Sequence, residues 1–376
     1  MMPDYRIKKI FLDESARGDE LTSAILQHYP DIEPTIVQGF PLKSTHHSNP
    51  KTVLYLTHSK GSIVKDCPGI VPEHLCCRYQ VINQTLNCPL NCSYCILQDY
   101  LNQAATVIYT DVDIIQRAVQ QRVTTQPQRF FRFGTGELGD SLALPASRLF
   151  AQRLIPFFAS LPNAILELKT KTVAIDDLLG LSHNEHTVIA WSLNAAAVIK
   201  QEEHGTASLT DRISAAQRVQ DAGYLLAFHF DPLVLIPDAN TAYRQVIDVL
   251  FEKIEPARIA WISLGSLRFP QSLEERIRQR YPNTKLLPAE MIAGRDRKMR
   301  YFRPLRVNLY RSTYQYIKTL APDVFVYLCM ETPRIWEEVT GSRPQDNTEL
   351  DYRFALNLYQ CFPRTVTLAP LRAAYY

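Results

Sequence analysis

From residue 79 to about residue 280, short apolar runs alternate with segments of helical period, and the alternation repeats about six times. Strands are expected at 79–86, 130–133, 165–168, 188–192, 225–230 and 259–263. Helices are expected between and after them at 112–121, 143–158, 175–179, 208–221, 241–253 and 272–280. Repeated strand–helix units build a parallel sheet with right-handed crossovers. Six units are too few for a closed eight-unit barrel. The expected fold is therefore α/β, a partial (βα)6 barrel of the TIM type, with a doubly wound open sheet as the alternative.

The flanks read differently. Residues 1–78 form a mixed α/β region, with a strand at 6–11, a helix at 19–28, a strand at 35–40 and a polar loop at 44–50. The barrel itself is assigned to 79–285. Residues 286–376 form a C-terminal α/β extension that could contribute to substrate binding. A basic, aromatic stretch at 291–306 leads into a helix to 320, followed by a strand at 324–328 and a helix at 334–339. Beyond Ser342 the pattern is weakest.

Hydrophobic residues make up 46% of the chain and charged residues 21%, which excludes disordered and collagen-like classes. The formal net charge of +3 permits an anionic ligand without demanding one. No run approaches the roughly 18 apolar residues that span a bilayer, and the start MMPDYRIKKIFLDES lacks a signal-like apolar core. A cytoplasmic location is expected, without membrane association. Eight cysteines in a reducing compartment then read as thiols or metal ligands.

Three of them stand together in NCPLNCSYC, where Cys88, Cys92 and Cys95 have the spacing C-x3-C-x2-C in a loop after the first barrel strand. Three thiolates can grip three irons of a [4Fe–4S] cube and leave the fourth open to a chelating ligand. A zinc site completed by His74 or Cys77, or a set of unrelated buried thiols, is the plainer alternative.

This loop resembles that of the radical S-adenosylmethionine (SAM) superfamily, and CPLNCSYCILQDYLN followed by RFGTGELGDS is similar to the spore photoproduct lyase family. The resemblance spans about residues 60–335. It implies a [4Fe–4S] cluster on Cys88, Cys92 and Cys95, and reductive cleavage of SAM to a 5′-deoxyadenosyl radical. An electron donor such as flavodoxin or ferredoxin is implied as well. Barrel chemistry sits at the C-terminal ends of strands, and the resemblance assigns roles there. Gly134, Gly136 and Glu137 would bind SAM, with Glu137 on its amino group. Lys171 and Ser192 would face its carboxylate and ribose, with Asn194 beside them. Tyr94 is retained as a catalytic candidate, and His229 and Asp231 are substrate-side candidates.

Two departures stand out. The family's hydrogen-donor cysteine falls within 134–140, where this chain has none and aligns Glu137. The residue after the third cluster cysteine is Ile96 rather than a second tyrosine. Both put thymine-dimer repair of spore DNA in doubt, but not SAM cleavage. Cys67, Cys76 and Cys77 could bind a second metal with His74 or supply a hydrogen atom, with buried structural thiols the plainer account. Cys329 is another thiol, at the end of a late strand.

Between 295 and 306, Arg295, Arg297, Lys298, Arg300, Arg303 and Arg306 interleave with Tyr301 and Phe302. Cations with aromatics suit a phosphate backbone and an unstacked base; a solvated loop with local salt bridges explains them equally. The expected activity is radical chemistry on nucleic acid, damaged DNA included. The alternatives are RNA, a peptide or a small molecule as substrate, or a non-catalytic zinc and nucleic-acid-binding protein. Oligomeric state is left open.

Overall fold

The computed structural model describes residues 7–39, 49–101, 104–287 and 290–376. Arg6, Phe40 and most of the polar loop expected at 44–50 lie outside them. An eight-stranded sheet, curled into a half-barrel, organises the molecule. Its spatial order is Val326–Leu328, Ile259–Ser266, Leu225–Leu233, Thr187–Ser192, Ala164–Thr170, Phe131–Gly134, Gln80–Ile82 and Val64–Asp66. All neighbours are parallel except the last pair. The central strands are buried on both faces, which is why they read as continuous apolar runs rather than alternating ones. The six expected strands are all present. Two more extend the sheet, one from each flank, so it draws on all three sequence segments.

The first expected strand is divided. Gln80–Ile82 belongs to the half-barrel, whereas Thr85–Leu86 pairs antiparallel with Thr106–Tyr109 in a second, five-stranded sheet. That sheet also holds Lys9–Asp13, Thr35–Val37 and Val53–Thr57. The switch falls at Asn83 and Gln84, whose backbone bonds go to Ile63 and Tyr109. The cysteine loop therefore leaves from the small sheet and crosses to the mouth of the large one.

Helices follow the expected rhythm, including Val112–Thr125, Pro145–Ala159, Leu209–Asp221 and Ala239–Lys253. The exception is the segment at 175–179, which contracts to a single 3-10 turn, Asp176–Leu178. Leu209–Asp221 starts where Ser208 Oγ accepts a bond from the Asp211 amide. Its core face carries Leu209, Ile213, Ala216 and Val219, and also a fully buried arginine, Arg212. A charge on a core face needs a partner, and Arg212 has one beside the cysteine loop.

The tail beyond Ser342 is also ordered. Helix Asn347–Cys361 packs Phe354 edge-on against Trp261, and Asp351 receives Arg129 at 2.8 Å. Among the described residues no helix is long and apolar enough to cross a membrane.

Candidate active site

Every parallel strand from Phe131–Gly134 to Val326–Leu328 delivers residues from its C-terminal end to one mouth of the half-barrel. There they line a cleft with about 270 Å³ of free space. Cys88, Cys92 and Cys95 form one wall, with Tyr94 among them. Gly136, Glu137, Lys171, Ser192 and Asp231 form the other. The fold thus gathers most of the expected site residues onto one surface from distant parts of the sequence.

The cysteine loop is held by backbone pairing rather than by its own length. Asn91–Cys92 pairs antiparallel with Glu203–His204. The Ser93 amide donates to the Glu202 carbonyl at 2.8 Å, and Ser93 Oγ to the Glu202 carboxylate at 2.5 Å. Asn87 turns the chain at a φ of +86° and donates its amide to the Leu138 carbonyl at 2.9 Å. That bond joins the cysteine loop to the segment carrying Glu137.

Burial keeps the Cys88 and Cys92 thiols protonated while they are free. It raises Cys88 well above the usual thiol range and, with the Glu203 charge, pushes Cys92 up to about 12. Among the described residues no three His, Cys, Asp or Glu side chains converge as ligands of one metal ion. Neither the set at Cys67, Cys76, Cys77 and His74 nor the cysteine loop is preassembled around one ion. Cys88, Cys92 and Cys95 all line the cleft, three thiol donors that a cube could take one to an iron. The donor set fits a [4Fe–4S] cluster.

Behind the loop, Glu203 is the hub. It receives Tyr94 Oη, Arg212 Nη2 at 2.6 Å and Lys171 Nζ at 3.7 Å. Burial opposes its ionisation, yet Lys171, Arg212 and the hydrogen bonds hold its pKa at about 2. Arg212 also donates to the Ser192 carbonyl at 2.7 Å. One buried network thereby fixes Tyr94, Lys171 and the end of the Thr187–Ser192 strand.

Asp140 does the same for the glycine-rich turn. Its carboxylate accepts from the amides of Leu142, Ala143 and Lys171, each at 2.9 Å, and from Thr170 Oγ1 at 2.7 Å. Gly136 must lack a side chain, because a Cβ there would stand 2.8 Å from Lys169 Cβ. These hubs escaped sequence reading. Glu203 bonds to Tyr94 across 109 residues, and no local spacing announces such a pair.

A second compartment of about 510 Å³ adjoins the first and shares Glu137, Lys169, Ser192, Asp231 and Arg268 with it. His229 lies there, buried, with Nδ1 2.6 Å from Ser263 Oγ and Nε2 2.8 Å from Glu167 Oε1. Trp261 Nε1 donates to the same carboxylate oxygen at 3.0 Å. Asp231 is clasped by Arg268. Cys329 also lines this compartment.

Two of the residues expected to contact the cofactor do not line the cleft. Asn194 is buried away from the cleft: its amide donates to the Pro232 carbonyl at 2.9 Å and accepts from Tyr243 Oη at 2.7 Å. Its hydrogen-bonding groups serve the core. Gly134 lies under Tyr79, whose hydroxyl would be 1.4 Å from an added Cβ. Its missing side chain makes room for the Tyr79 ring.

The basic stretch divides by burial. Arg300 and Arg306 are buried against Asp296 and Glu331, at 2.6 and 2.9 Å, and Arg303 pairs with Glu338. Tyr301 is a core residue. Lys298 lines both compartments. Arg295, Arg297 and Phe302 remain on the surface.

A family model described as spore photoproduct lyase matches residues 77–320. The chain is 30% identical over 206 residues to the spore photoproduct lyase of Bacillus subtilis, and 27% identical over 200 residues to that of Clostridium acetobutylicum. Each match covers 53% of this chain and 59% of the relative, so it spans little more than half the length of the curated relatives. In structure, a spore photoproduct lyase complexed with dinucleoside spore photoproduct superposes with a TM-score of 0.75 at 23% identity, covering 86% of this chain and 99% of the other. A variant lyase with bound AdoMet and the same dinucleoside gives 0.75 at 22%, covering 85% and 98%. At these identities the superpositions establish the fold, the half-barrel of the radical SAM kind. With the family match over most of its length, the chain belongs to the spore photoproduct lyase family.

Proposed function

We propose that this protein is a cytoplasmic radical SAM enzyme that acts on a nucleic-acid substrate. The observation that carries the reading is the convergence of Cys88, Cys92 and Cys95 with Glu137, Lys171 and Ser192 on one cleft. The cysteines would hold a [4Fe–4S] cluster. When bound and reduced, that cluster supplies the electron that cleaves SAM to a 5′-deoxyadenosyl radical; a flavodoxin or ferredoxin would be the donor.

The chain's own residues do the rest. The Glu137 carboxylate would hold an ammonium group, and the Lys171 ammonium, steadied by Glu203, a carboxylate. Ser192 offers a hydroxyl at a strand end fixed by Arg212. The apolar walls Leu90, Ile96 and Leu97 keep water from a reactive intermediate. The second compartment would receive the substrate, with Lys298, Arg268 and Lys169 suited to an anionic one. The dinucleoside spore photoproduct held by both structural relatives described above favours a dinucleoside-type lesion, and the surface residues Arg295, Arg297 and Phe302 suit phosphate and base contacts. The C-terminal segment that carries them would serve substrate binding. Because Glu137 stands where the family has its donor cysteine, the product radical would be quenched differently here.

The test is anaerobic reconstitution with iron and sulfide, reduction, addition of SAM and assay of 5′-deoxyadenosine. Product that vanishes in Cys92→Ala supports the reading. A colourless, zinc-loaded protein without product refutes it.

A further inference from the structure

The antiparallel hairpin of Met291–Ala293 and Lys298–Tyr301 borders two cavities. Asp296, Arg297 and Lys298 line the second compartment, whereas Gly294, Arg295 and Arg300 line a separate pocket of about 860 Å³. Among the described residues, that pocket shares none of its lining with the cleft or the second compartment. Two helices begin at its wall. Arg303 and Arg306 stand in the first turn of Arg303–Leu320, and Thr332, Pro333 and Arg334 at the start of Pro333–Thr340. The Leu75 amide donates to the Glu331 carbonyl at 2.9 Å, and this bond ties down the loop that adds His74 to the lining.

Arginine dominates the lining. Arg295, Arg300, Arg303, Arg306, Arg334 and Arg343 stand there with only two carboxylates, Glu73 and Glu337. Asp296 pairs with Arg300, Glu331 with Arg306, Glu338 with both Arg303 and Arg334, and Glu73 with Arg295. Glu337 is 3.9 Å from Arg343. Each guanidinium has five N–H donors, so these pairs leave donors unspent.

Arg300 carries the argument. It is 3% exposed, and its Nη2 donates to Asp296 Oδ2 at 2.6 Å. Its Nε and Nη1 have no acceptor among the described residues. Arg303 Nε and Nδ1 of the buried His74 are likewise without partners there. Buried polar groups are normally satisfied. Unspent donors on a cationic wall, beside the positive ends of two helices, are the features of an oxyanion site. Gly294 keeps the hairpin bare at this point, where an added Cβ would stand 3.1 Å from Arg300 Nε.

We propose that this pocket is a phosphate-ester site, in which Arg300 holds the phosphate and Arg303, Arg334 and Arg343 close around it. Guanidinium forks match the oxygens of phosphate, and a tetrahedral group can take several forks at once where a planar carboxylate presents two oxygens. Ile292, Ala293 and Pro333 give the attached sugar or base an apolar wall. Two sources carry such a group: a free nucleotide, or the backbone of a nucleic-acid strand that crosses the hairpin into the second compartment. The second source rests on the proposed function; the pocket does not.

The test needs neither iron nor SAM, so its failure is distinct from failure of the radical reading. Thymidine 5′-monophosphate is titrated into the full-length protein by calorimetry, and fluorescein-labelled oligothymidylate binding is followed by anisotropy. Arg334→Gln and Arg343→Gln change exposed residues and should fold, whereas substitution of Arg300 breaks the buried Asp296 pair. Each of the two should weaken binding about tenfold, the low end of what one hydrogen bond to a charged group contributes. Arg17→Gln, at an exposed arginine that is not among the pocket's lining residues, should leave it unchanged. A loss seen with the monophosphate supports the site and identifies a free nucleotide as its ligand. A loss confined to the oligonucleotide supports it and identifies a strand phosphate. Unchanged affinity for both probes in both variants overturns the proposal.

Discussion

Arg268 clasps Asp231 through two parallel hydrogen bonds, Nη1 to Oδ1 at 3.0 Å and Nη2 to Oδ2 at 2.9 Å, where the two compartments meet. Arg268 Nη2 also reaches Cys329 Sγ at 3.5 Å. Burial raises the Asp231 pKa, yet the guanidinium, with Lys169 and His229, keeps it below the usual carboxylate range. Asp231→Asn removes one charge and leaves Arg268 poorly compensated in the cavity wall. Breaking a buried pair in this way costs about 3–5 kcal/mol, and partial solvent access should bring this pair toward the low end. Urea denaturation of the variant checks the figure, and an unchanged midpoint would show that the pair is solvent-screened.

Close approach of two strand ends gives a second prediction. Gly136→Ala would place its Cβ 2.8 Å from Lys169 Cβ, between the residues that shape both compartments. The expected result is a loss of about 1–3 kcal/mol from overpacking, together with weaker SAM binding by isothermal titration. Gly180→Ala has open space around it and should change stability by no more than about 0.5 kcal/mol.

Acid sensitivity follows from Glu203 and Glu167. Burial disfavours charge on both, but Lys171 and Arg212 hold Glu203, and His229 and Lys169 hold Glu167, at a pKa of about 2 against an ordinary 4.5. A carboxyl lowered in the folded state contributes its stability above the ordinary value, and that contribution is lost as pH falls through the folded one. Denaturation midpoints should therefore fall steeply between pH 4.5 and about 2. Glu203→Gln should flatten this descent while lowering stability at neutral pH, because Lys171 and Arg212 lose their counter-charge.

The basic stretch separates into testable halves. Arg295→Gln and Arg297→Gln act at the surface. If they contact phosphate, each should weaken DNA binding and reduce the salt slope by about 1. Arg300→Ala instead breaks the buried Arg300–Asp296 pair and should destabilise the fold by about 3–5 kcal/mol. Fluorescence anisotropy at several salt concentrations, paired with thermal melts, separates the two effects.

Local pattern carried the strand–helix alternation, because buried parallel strands need continuous apolar runs and their helices need a 3.6-residue period. It also carried the three-cysteine loop, whose thiols are close neighbours in sequence, and the strand-end positions of Glu137, Lys171 and Ser192. Side-chain direction was not legible. Asn194 stands just past the Thr187–Ser192 strand and Gly134 at the end of its own, yet one bonds to Pro232 and Tyr243 and the other lies beneath Tyr79. The partition of the basic stretch into buried and exposed arginines depends on Asp296, Glu331 and Glu338, the last two of which come from a later segment of the chain. The grip of Glu203 on Tyr94, Lys171 and Arg212 had no signal in the sequence either. Sequence determined which groups could do chemistry, since covalent spacing and periodicity are local. Only the tertiary structure decided which of them face one cavity, because burial and charge pairing are set by segments that meet from opposite ends of the chain.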